Sequence, residues 1–249
     1  QARLFFLSLT TVERDHVGQA YTFELGKCYE QAIKERQLLA LANIDADLCA
    51  VVAAGLGLPV PKPTIALTEE VASPALSQLG KTWPTDGRVV GILVPDGLAD
   101  LSSVREVRDA IFAAQMVPLV VASAGGALND VAEDPVAVQR TYLTARSIEF
   151  DAILLAGAPA AADDAIASVD AKAGAPVAGP VDPRVALLLS EAYRHGKAIG
   201  GWDDAGAALH DAGIPGAALG VVIGDEPTAV LSEIIELVGQ HRVWGRFPG

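Results

Sequence analysis

Apolar residues recur along the chain with one period before residue 58 and with another period after residue 88. In the first part they lie three or four residues apart, the spacing of one side of a helix. Three helices are predicted there: one after a Thr10–Glu13 capping box, one over 28–42, and one capped by Asp45 that ends at Gly55 or Gly57. Residues 1–58 are therefore predicted to form a small all-α segment.

Residues 59–87 keep neither a helical nor a strand period. They contain five prolines, at positions 59, 61, 63, 74 and 84. Proline removes a backbone donor and fixes φ, so this spacing prevents regular structure. We predict a linker over 59–87 and expect it to lie along a neighbouring surface, because it is long for a compact connection.

From residue 88 to residue 249, short apolar runs alternate with helix-like segments. The predicted strands are 89–94, 117–122, 152–156, 198–200 and 218–223. The predicted helices are 102–114, 136–145, 183–195, 204–212 and 227–240. Such alternation is typical of a doubly wound parallel sheet, and five strands suggest the flavodoxin-like α/β fold.

The charge and hydropathy of the chain exclude some classes of binding partner. The net charge is −13 and the pI about 4.6, which disfavours nucleic acid and anionic membranes. Mean hydropathy is +0.35, yet no apolar run reaches the roughly 18 residues of a membrane span. Because the chain begins at Gln1 and Met116 is its only methionine, we expect an N-terminus made by cleavage or by design. No charged leader opens it, so we expect a cytoplasmic protein.

The two cysteines, Cys28 and Cys49, both fall in the helical segment. They lack the spacing of a metal-binding knuckle, and no histidine is close enough in sequence to complete one. We predict that both are packed thiols, since free cysteine is among the most buried residue types.

The segment GKAIGGWDDAG at 196–206 has the pattern of a sharp strand-to-helix turn that presents a nucleophile. It resembles the elbow of the DJ-1/PfpI and class I glutamine amidotransferase group, in which the nucleophile is a cysteine. Here Asp203, or else Trp202, occupies that place. We favour a helix N-cap role for Asp203. The alternative is an enzyme of this group with Asp203 as nucleophile, which requires His195 or His210 within hydrogen-bond reach.

Other loops at the predicted carboxyl edge of the sheet are further candidates for catalytic or ligand-binding sites. The resemblance implies a glutamate after the first strand, but Asp96 and Asp100 stand there and the first glutamate is Glu106. We interpret both aspartates as turn or N-cap residues. A third hypothesis, flavin or nucleotide binding, rests on fold analogy alone. The glycines of 123–127 and Gly157 could admit a phosphate, but tight strand-to-helix turns explain them at least as well. The acidic pairs 163–164, 203–204 and 225–226 are interpreted as helix starts rather than cation sites.

Three further motifs carry a second resemblance: YTFELGK at 21–27, LANIDADL at 41–48 and GLGLPVP at 55–61. With QARLF at 1–5 and TVERDH at 11–16, they resemble the helical region that follows the barrel in large-subunit monofunctional haem catalases. In that family a DJ-1/PfpI-like C-terminal domain without the nucleophile follows. The resemblance covers residues 1–61 by motif and the remainder by position and pattern.

The catalase resemblance implies that the whole protein disproportionates hydrogen peroxide to water and oxygen as a haem-containing homotetramer. None of the tyrosines, Tyr21, Tyr29, Tyr142 and Tyr193, lies in the family's proximal-ligand motif, and His16 is not in its distal motif. We therefore assign no catalytic, cofactor-binding or metal-binding residue to this chain, and expect haem only in the whole protein.

The region that this chain represents is implied to be non-catalytic, with a role in stability, assembly, access to the haem channel or chaperone-like protection. Its expected partners are the remainder of the catalase subunit, the homotetramer and unfolded client proteins, with no nucleic acid and no membrane. We also expect exposed apolar side chains on the helical segment.

Overall fold

A computed structural model describes residues 1–67, 69, 71–98, 100–130, 134–157 and 181–247. The chain divides into two compact units. The first is Gln1–Leu79 together with Phe247, and the second is Gly80–Arg246. The boundary between Leu79 and Gly80 falls inside the segment 59–87 that was predicted as a linker.

The first unit contains four helices: α1 (Ala2–Ser8), α2 (Thr11–Gly26), α3 (Gln31–Ala42) and α4 (Ala46–Leu56). The last three correspond to predicted helices. Helix α1 was not predicted, because it is only seven residues long and Gln1 makes no side-chain cap for it. It forms nonetheless, and it buries Phe6 in the core of the unit.

The predicted caps of the helical unit are confirmed. Thr10 and Glu13 form a reciprocal capping box at the start of α2. The Asp45 carboxylate accepts hydrogen bonds from two backbone amides of the first turn of α4, both at 3.0 Å. Gly57 ends α4 with a φ of 67°, a left-handed conformation in which glycine is favoured.

Helices α2 and α4 pack closely because the contact is made by small residues. A Cβ atom at Gly55 would lie 2.4 Å from the Thr22 side chain, and one at Gly18 would lie 3.3 Å from Val51. The core beneath contains Leu38, Cys49 and other fully buried side chains. Glycine at these two positions therefore sets the distance between the helices.

In its described residues, the second unit has eight strands and four longer helices. Its strands are β1 (Val89–Leu93), β2 (Val117–Ala122), β3 (Gly126–Leu128), β4 (Val136–Val138), β5 (Arg140–Thr141), β6 (Ala152–Ala156), β7 (Ala198–Trp202) and β8 (Val221–Ile223). Its helices are α5 (Ser102–Ala113), α6 (Pro183–Arg194), α7 (Ala205–Asp211) and α8 (Pro227–Gly239), with 3₁₀ turns at Ser147–Glu149 and Trp244–Arg246.

Six of these strands form one parallel sheet in the order β5-β2-β1-β6-β7-β8. Five of them follow the flavodoxin-like order, and β5 adds an edge beside β2. Apolar residues of α5 and α8 cover one face of the sheet, and those of α6 and α7 cover the other. The prediction of a doubly wound, flavodoxin-like α/β unit after an all-α segment is confirmed.

The helix predicted over 136–145 is wrong. Residues Val136–Val138 pair antiparallel with Gly126–Leu128, and Arg140–Thr141 extend the main sheet. The side chain and the backbone of Gln139 both bond to Val120, at 2.7 and 3.0 Å, which joins this segment to β2. These tertiary pairings override a spacing of apolar residues that also fits a helix.

In the part of the chain that the structure describes, no helix combines the length and the apolarity needed to cross a bilayer.

Candidate functional site

The strand order reverses between β1 and β6, and in open α/β sheets ligands bind outside the carboxyl ends of the strands at such a point. The loops here begin at Val94 after β1 and at Gly157 after β6. Gly157 has a φ of 95°, and a Cβ atom there would lie 2.9 Å from the Asp204 carboxylate. Close packing therefore explains this glycine without a phosphate. The acidic pair at 163–164 lies outside the described residues.

The turn after β7 keeps the sharp geometry that its sequence predicts. Asp203 is exposed and has a φ of 54°, which side chains other than glycine rarely adopt. A Cβ atom at Gly201 would lie 2.5 Å from that of Ala205, so glycine lets α7 start close against the strand. Aspartate thus stands in a strained strand-to-helix elbow.

The N-cap prediction for Asp203 is wrong. The N-cap position of α7 is Asp204, which has a φ of −88° and makes no side-chain capping bond. Trp202 is excluded as a reactive group, because it is buried and its indole nitrogen donates to the Ser103 hydroxyl at 3.3 Å. Asp203 therefore takes the place of the nucleophile in the elbow without acting as a cap.

This geometry predicts opposite effects of glycine at Asp203 and at an ordinary helix position. At position 203, Asp203→Gly should be more stable than Asp203→Ala by about 1 kcal/mol, because alanine is strained at positive φ. At position 106, an exposed residue inside α5, Glu106→Ala should be more stable than Glu106→Gly by about 0.5–1 kcal/mol. Urea unfolding of the four variants measures both differences. The same order at both positions would contradict the elbow conformation.

Neither histidine that the nucleophile hypothesis requires lies beside Asp203. His195 ends α6 and precedes β7, so it lies at the amino edge of the sheet, about 17 Å of strand away. His210 is in the last turn of α7, its side chain is 91% exposed, and it lies 3.6 Å from Asp211. An acid or base partner for Asp203 is therefore not supplied by these two residues.

Both cysteines lie in the first unit, whereas the elbow lies in the second. Cys49 is buried, and its thiol donates to the Leu38 carbonyl at 3.3 Å. Burial raises the pKa of the Cys49 thiol, which makes the reactive thiolate less available. The described geometry of Cys49 agrees with a packed thiol.

Three polar groups near the switch point were not singled out by their spacing in the sequence. The Tyr142 hydroxyl donates to the Val94 carbonyl at 2.6 Å. Burial, and then the nearby Asp96 and Asp182 carboxylates, raise the pKa of Tyr142. Ser123 donates to Asp96 at 2.5 Å. Asp96 and Ser123 meet because β1 and β2 are parallel neighbours whose carboxyl ends lie side by side, and no local motif signals this contact.

Asp182 is the buried acid of this edge. Its carboxylate accepts the Arg184 side chain and the Arg184 backbone amide, at 2.9 and 2.8 Å to one oxygen, and so caps α6. The hydrogen bond from the Arg184 guanidinium holds the pKa of Asp182 below its usual range. Asp100 instead accepts the amide and the hydroxyl of Ser102, both at 2.8 Å, as a turn residue does.

Three of the four tyrosines lie in different surroundings. Tyr142 is buried and already bonded to a carbonyl, Tyr29 is fully exposed, and the Tyr193 ring is covered by Arg246 at 4.3 Å. Within the described ranges, no three histidine, cysteine or acidic side chains are grouped as a metal site. No step of a haem reaction is derived from these residues.

A buried amine lies at the opposite edge of the sheet. Lys197, with 5% of its surface exposed, donates to the carbonyls of Ser147 and Phe150, the latter at 2.6 Å. Burial, and then the charge of Arg242, lower the pKa of Lys197 to about 8. Burial therefore makes the charged form of Lys197 less favourable in the folded protein than in the unfolded chain, and this difference lowers the free energy of unfolding.

The Lys197 environment predicts a stability that rises with alkaline pH. Below about pH 8 the Lys197 ammonium is charged in the folded and in the unfolded state, so the full destabilisation by the buried charge is present. Between about pH 8 and the unfolded value of 10.5 only the unfolded state binds this proton, so the contribution of Lys197 to the free energy of unfolding increases with pH. Cys49 and Tyr142, whose pKa values burial raises, contribute slopes of the opposite sign above about pH 9.

Urea unfolding at several pH values, followed by tryptophan fluorescence, measures this slope. The slope should be less positive in Lys197→Met, which lacks the Lys197 contribution, and unchanged in Lys62→Met, which removes an exposed lysine. An identical slope in Lys197→Met would contradict the assignment.

Comparison with known proteins identifies the family. Residues 86–248 match the family model of the C-terminal domain found in long catalases, and residues 1–56 match the catalase-related immune-responsive model. The chain belongs to the family of long catalases to which this C-terminal domain is assigned. These matches confirm the resemblance to large-subunit catalases that the motifs of residues 1–61 indicated.

Several relatives match nearly the whole chain, and others match part of it. It is 33% identical to catalase HPII of Pseudomonas aeruginosa over 248 residues, 99% of this chain and 33% of that protein. Catalase-2 of Bacillus subtilis is 28% identical over 99% of this chain and 34% of its own length. Catalase A of Emericella nidulans is 34% identical over 63% of this chain and 22% of its own length. The chain spans about a third of the length of the curated relatives that it matches over its full extent.

Proposed function

We propose that this chain is a non-catalytic region of a long catalase that stabilises or helps to assemble the whole protein. The whole protein would convert hydrogen peroxide to water and oxygen, with haem held by the part outside this chain. The proposal is supported by the catalases among its relatives and by the third of their length that it spans.

One observation carries the non-catalytic part of the proposal. The elbow after β7 keeps its strained shape, but an exposed aspartate stands where a nucleophilic cysteine is expected, and His195 and His210 lie elsewhere. Among the described residues, neither His195 nor His210 is placed to act as base or acid for Asp203, and an unassisted carboxylate is a poor candidate for acyl transfer. The turn thus has the backbone conformation that the hydrolase alternative requires, but His195 and His210 do not supply the partner that Asp203 would need.

The test is a peroxide assay on the purified chain after incubation with haem. We expect no peroxide consumption above that of free haem and no stoichiometric haem binding, while the full-length catalase shows both. A thioester and a glyoxal substrate, assayed beside an Asp203→Ala variant, test the alternative. Turnover of either one that Asp203→Ala abolishes would overturn the non-catalytic assignment.

A chaperone-like role is a second candidate, favoured by exposed apolar side chains. Among the described residues, ten of the large hydrophobic side chains that are exposed belong to the first unit and seven to the much larger second unit. Phe23 and Val71 are 65% and 86% exposed. Light scattering of a heat-labile client protein, with an unrelated acidic protein as control, tests this role. Unchanged aggregation would leave stabilisation as the better interpretation.

A further inference from the structure

The segment that precedes β1 is bound across the amino edge of the sheet of the second unit. The backbone amide of Trp83 donates to the carbonyl of Gly239, the last residue of α8, at 2.7 Å. The amide of Gly87 donates to the carbonyl of Gln115, just ahead of β2, at 2.8 Å. A Cβ atom at Gly239 would lie 3.9 Å from the Trp83 carbonyl oxygen, so the segment packs directly on the end of the helix. We call residues 82–88 the strap.

The segment that follows α8 is bound at the same edge, chiefly through Arg246. Its Nε atom donates to the carbonyl of Leu219, ahead of β8, at 2.6 Å. Its Nη1 atom donates to the carbonyls of Tyr193 and Lys197, at 3.2 and 2.8 Å. One side chain thus joins the end of α6 to the starts of β7 and β8. We call residues 241–246 the clasp.

The strap and the clasp meet at their ends. Arg88, the last residue of the strap, has its Nη1 atom 3.4 Å from Nδ1 of His241, the first residue of the clasp. The same nitrogen donates to the Asp151 carboxylate, ahead of β6, at 3.0 Å. Because Gly239 lies only two residues before His241, the strap contacts both the end of α8 and the start of the clasp. Opening of either segment therefore removes a partner of the other.

The clasp begins with a strained residue. His241 has a φ of 68°, a conformation in which glycine is favoured. The corresponding positions after α6 and α7 are Gly196 and Gly213, with φ values of 66° and 74°. A histidine in this conformation persists only where the surrounding contacts hold it. Release of those contacts lets His241 relax, which favours opening of the clasp as a whole.

We propose that the strap and the clasp form one latch, which opens as a single local unit before the sheet unfolds. No residue of the strap belongs to the buried hydrophobic core, and from the clasp only Val243 does. Segments held by polar contacts with little buried apolar surface open at a lower free energy than the core. The latch is independent of the proposed function, because it involves neither haem nor the elbow.

Limited trypsin digestion of the whole chain, with each cleavage rate measured by mass spectrometry, tests the latch. Arg246→Met removes the hydrogen bonds of the clasp and leaves the strap unaltered. We expect cleavage after Lys81, at the start of the strap, to become about tenfold faster, because the open form is more populated. Cleavage after Arg184, ahead of the fully buried Val185, should stay within about twofold, since it requires wider unfolding.

A variant in the strap gives the reciprocal test. Trp83→Ala removes a half-buried indole and should make cleavage after Arg242, in the clasp, about fivefold faster or more. Arg108→Met is the control, because it removes a surface arginine of α5 that pairs with Asp109, and it should change neither rate.

An unchanged rate after Lys81 in Arg246→Met would overturn the latch. An equal rise after Arg184 would overturn it too, because the whole unit would then be unfolding. If Arg246→Met does not fold, Trp83→Ala decides by the same comparison of Arg242 with Arg184. The peroxide and haem assays measure neither rate, so failure of the latch is distinct from failure of the proposed function.

Discussion

Replacing Asp130 with alanine should lower the free energy of unfolding of the second unit by about 2–3 kcal/mol. The Asp130 side chain is fully buried, and it accepts the Leu101 amide at 2.8 Å and both arms of the Arg105 guanidinium at 2.8 and 2.9 Å. The substitution leaves the Leu101 amide without its acceptor and leaves Arg105 with the Asp134 carbonyl and the more distant Asp134 carboxylate. Loss of a buried partner is far more costly than loss of a surface pair.

Urea unfolding followed by tryptophan fluorescence measures this effect, because Trp83, Trp202 and Trp244 all lie in the second unit. Asp109→Ala is the matched control. Asp109 is 68% exposed and pairs with its neighbour Arg108 at 2.8 Å, so its loss should cost about 0.5 kcal/mol or less. Equal losses in the two variants would show that Asp130 does not anchor the start of α5.

Replacing Gly200 with alanine should lower the free energy of unfolding by about 1–3 kcal/mol, because the core of the second unit is already filled. A Cβ atom at Gly200 would lie 2.7 Å from Leu154, 2.8 Å from Val230 and 2.9 Å from Ile234. These side chains join β6 and α8 to β7, so they cannot yield without disturbing the packing of the sheet.

Gly206→Ala supplies the control for the same chemical change. A Cβ atom at Gly206 would meet nothing within 4 Å, and the residue lies in α7, where alanine is favoured over glycine by about 0.5–1 kcal/mol. We therefore expect Gly206→Ala to stabilise the unit, in the same unfolding experiment. Stabilisation by Gly200→Ala would contradict the close approach of α8 to β7.

The sheet could be predicted from sequence because its central strands are bounded apolar runs. The run at 117–122 is β2 residue for residue, and the run at 152–156 is β6. The helix starts at Thr10, Asp45 and Pro183 were also predictable, since their capping chemistry lies within three or four residues of sequence.

The predictions that were wrong concern structure that depends on interactions between residues distant in sequence. The segment 136–145 forms strands because Gln139 bonds to Val120 and because Val136 meets Leu128, which its own spacing does not reveal. At the elbow, aspartate suits both an N-cap and a left-handed turn, so only the backbone of Asp203 decides between them.

Deleting residues 80–249 from the full-length catalase tests most directly whether this region supplies stability rather than chemistry. We expect peroxide turnover per haem to stay within about twofold, and the half-life of activity at raised temperature to fall by about tenfold or more. If the deletion prevents folding, Gly200→Ala in the full-length protein serves instead, with the same pattern expected. An unchanged half-life, or a loss of turnover per haem at low temperature, would contradict this account.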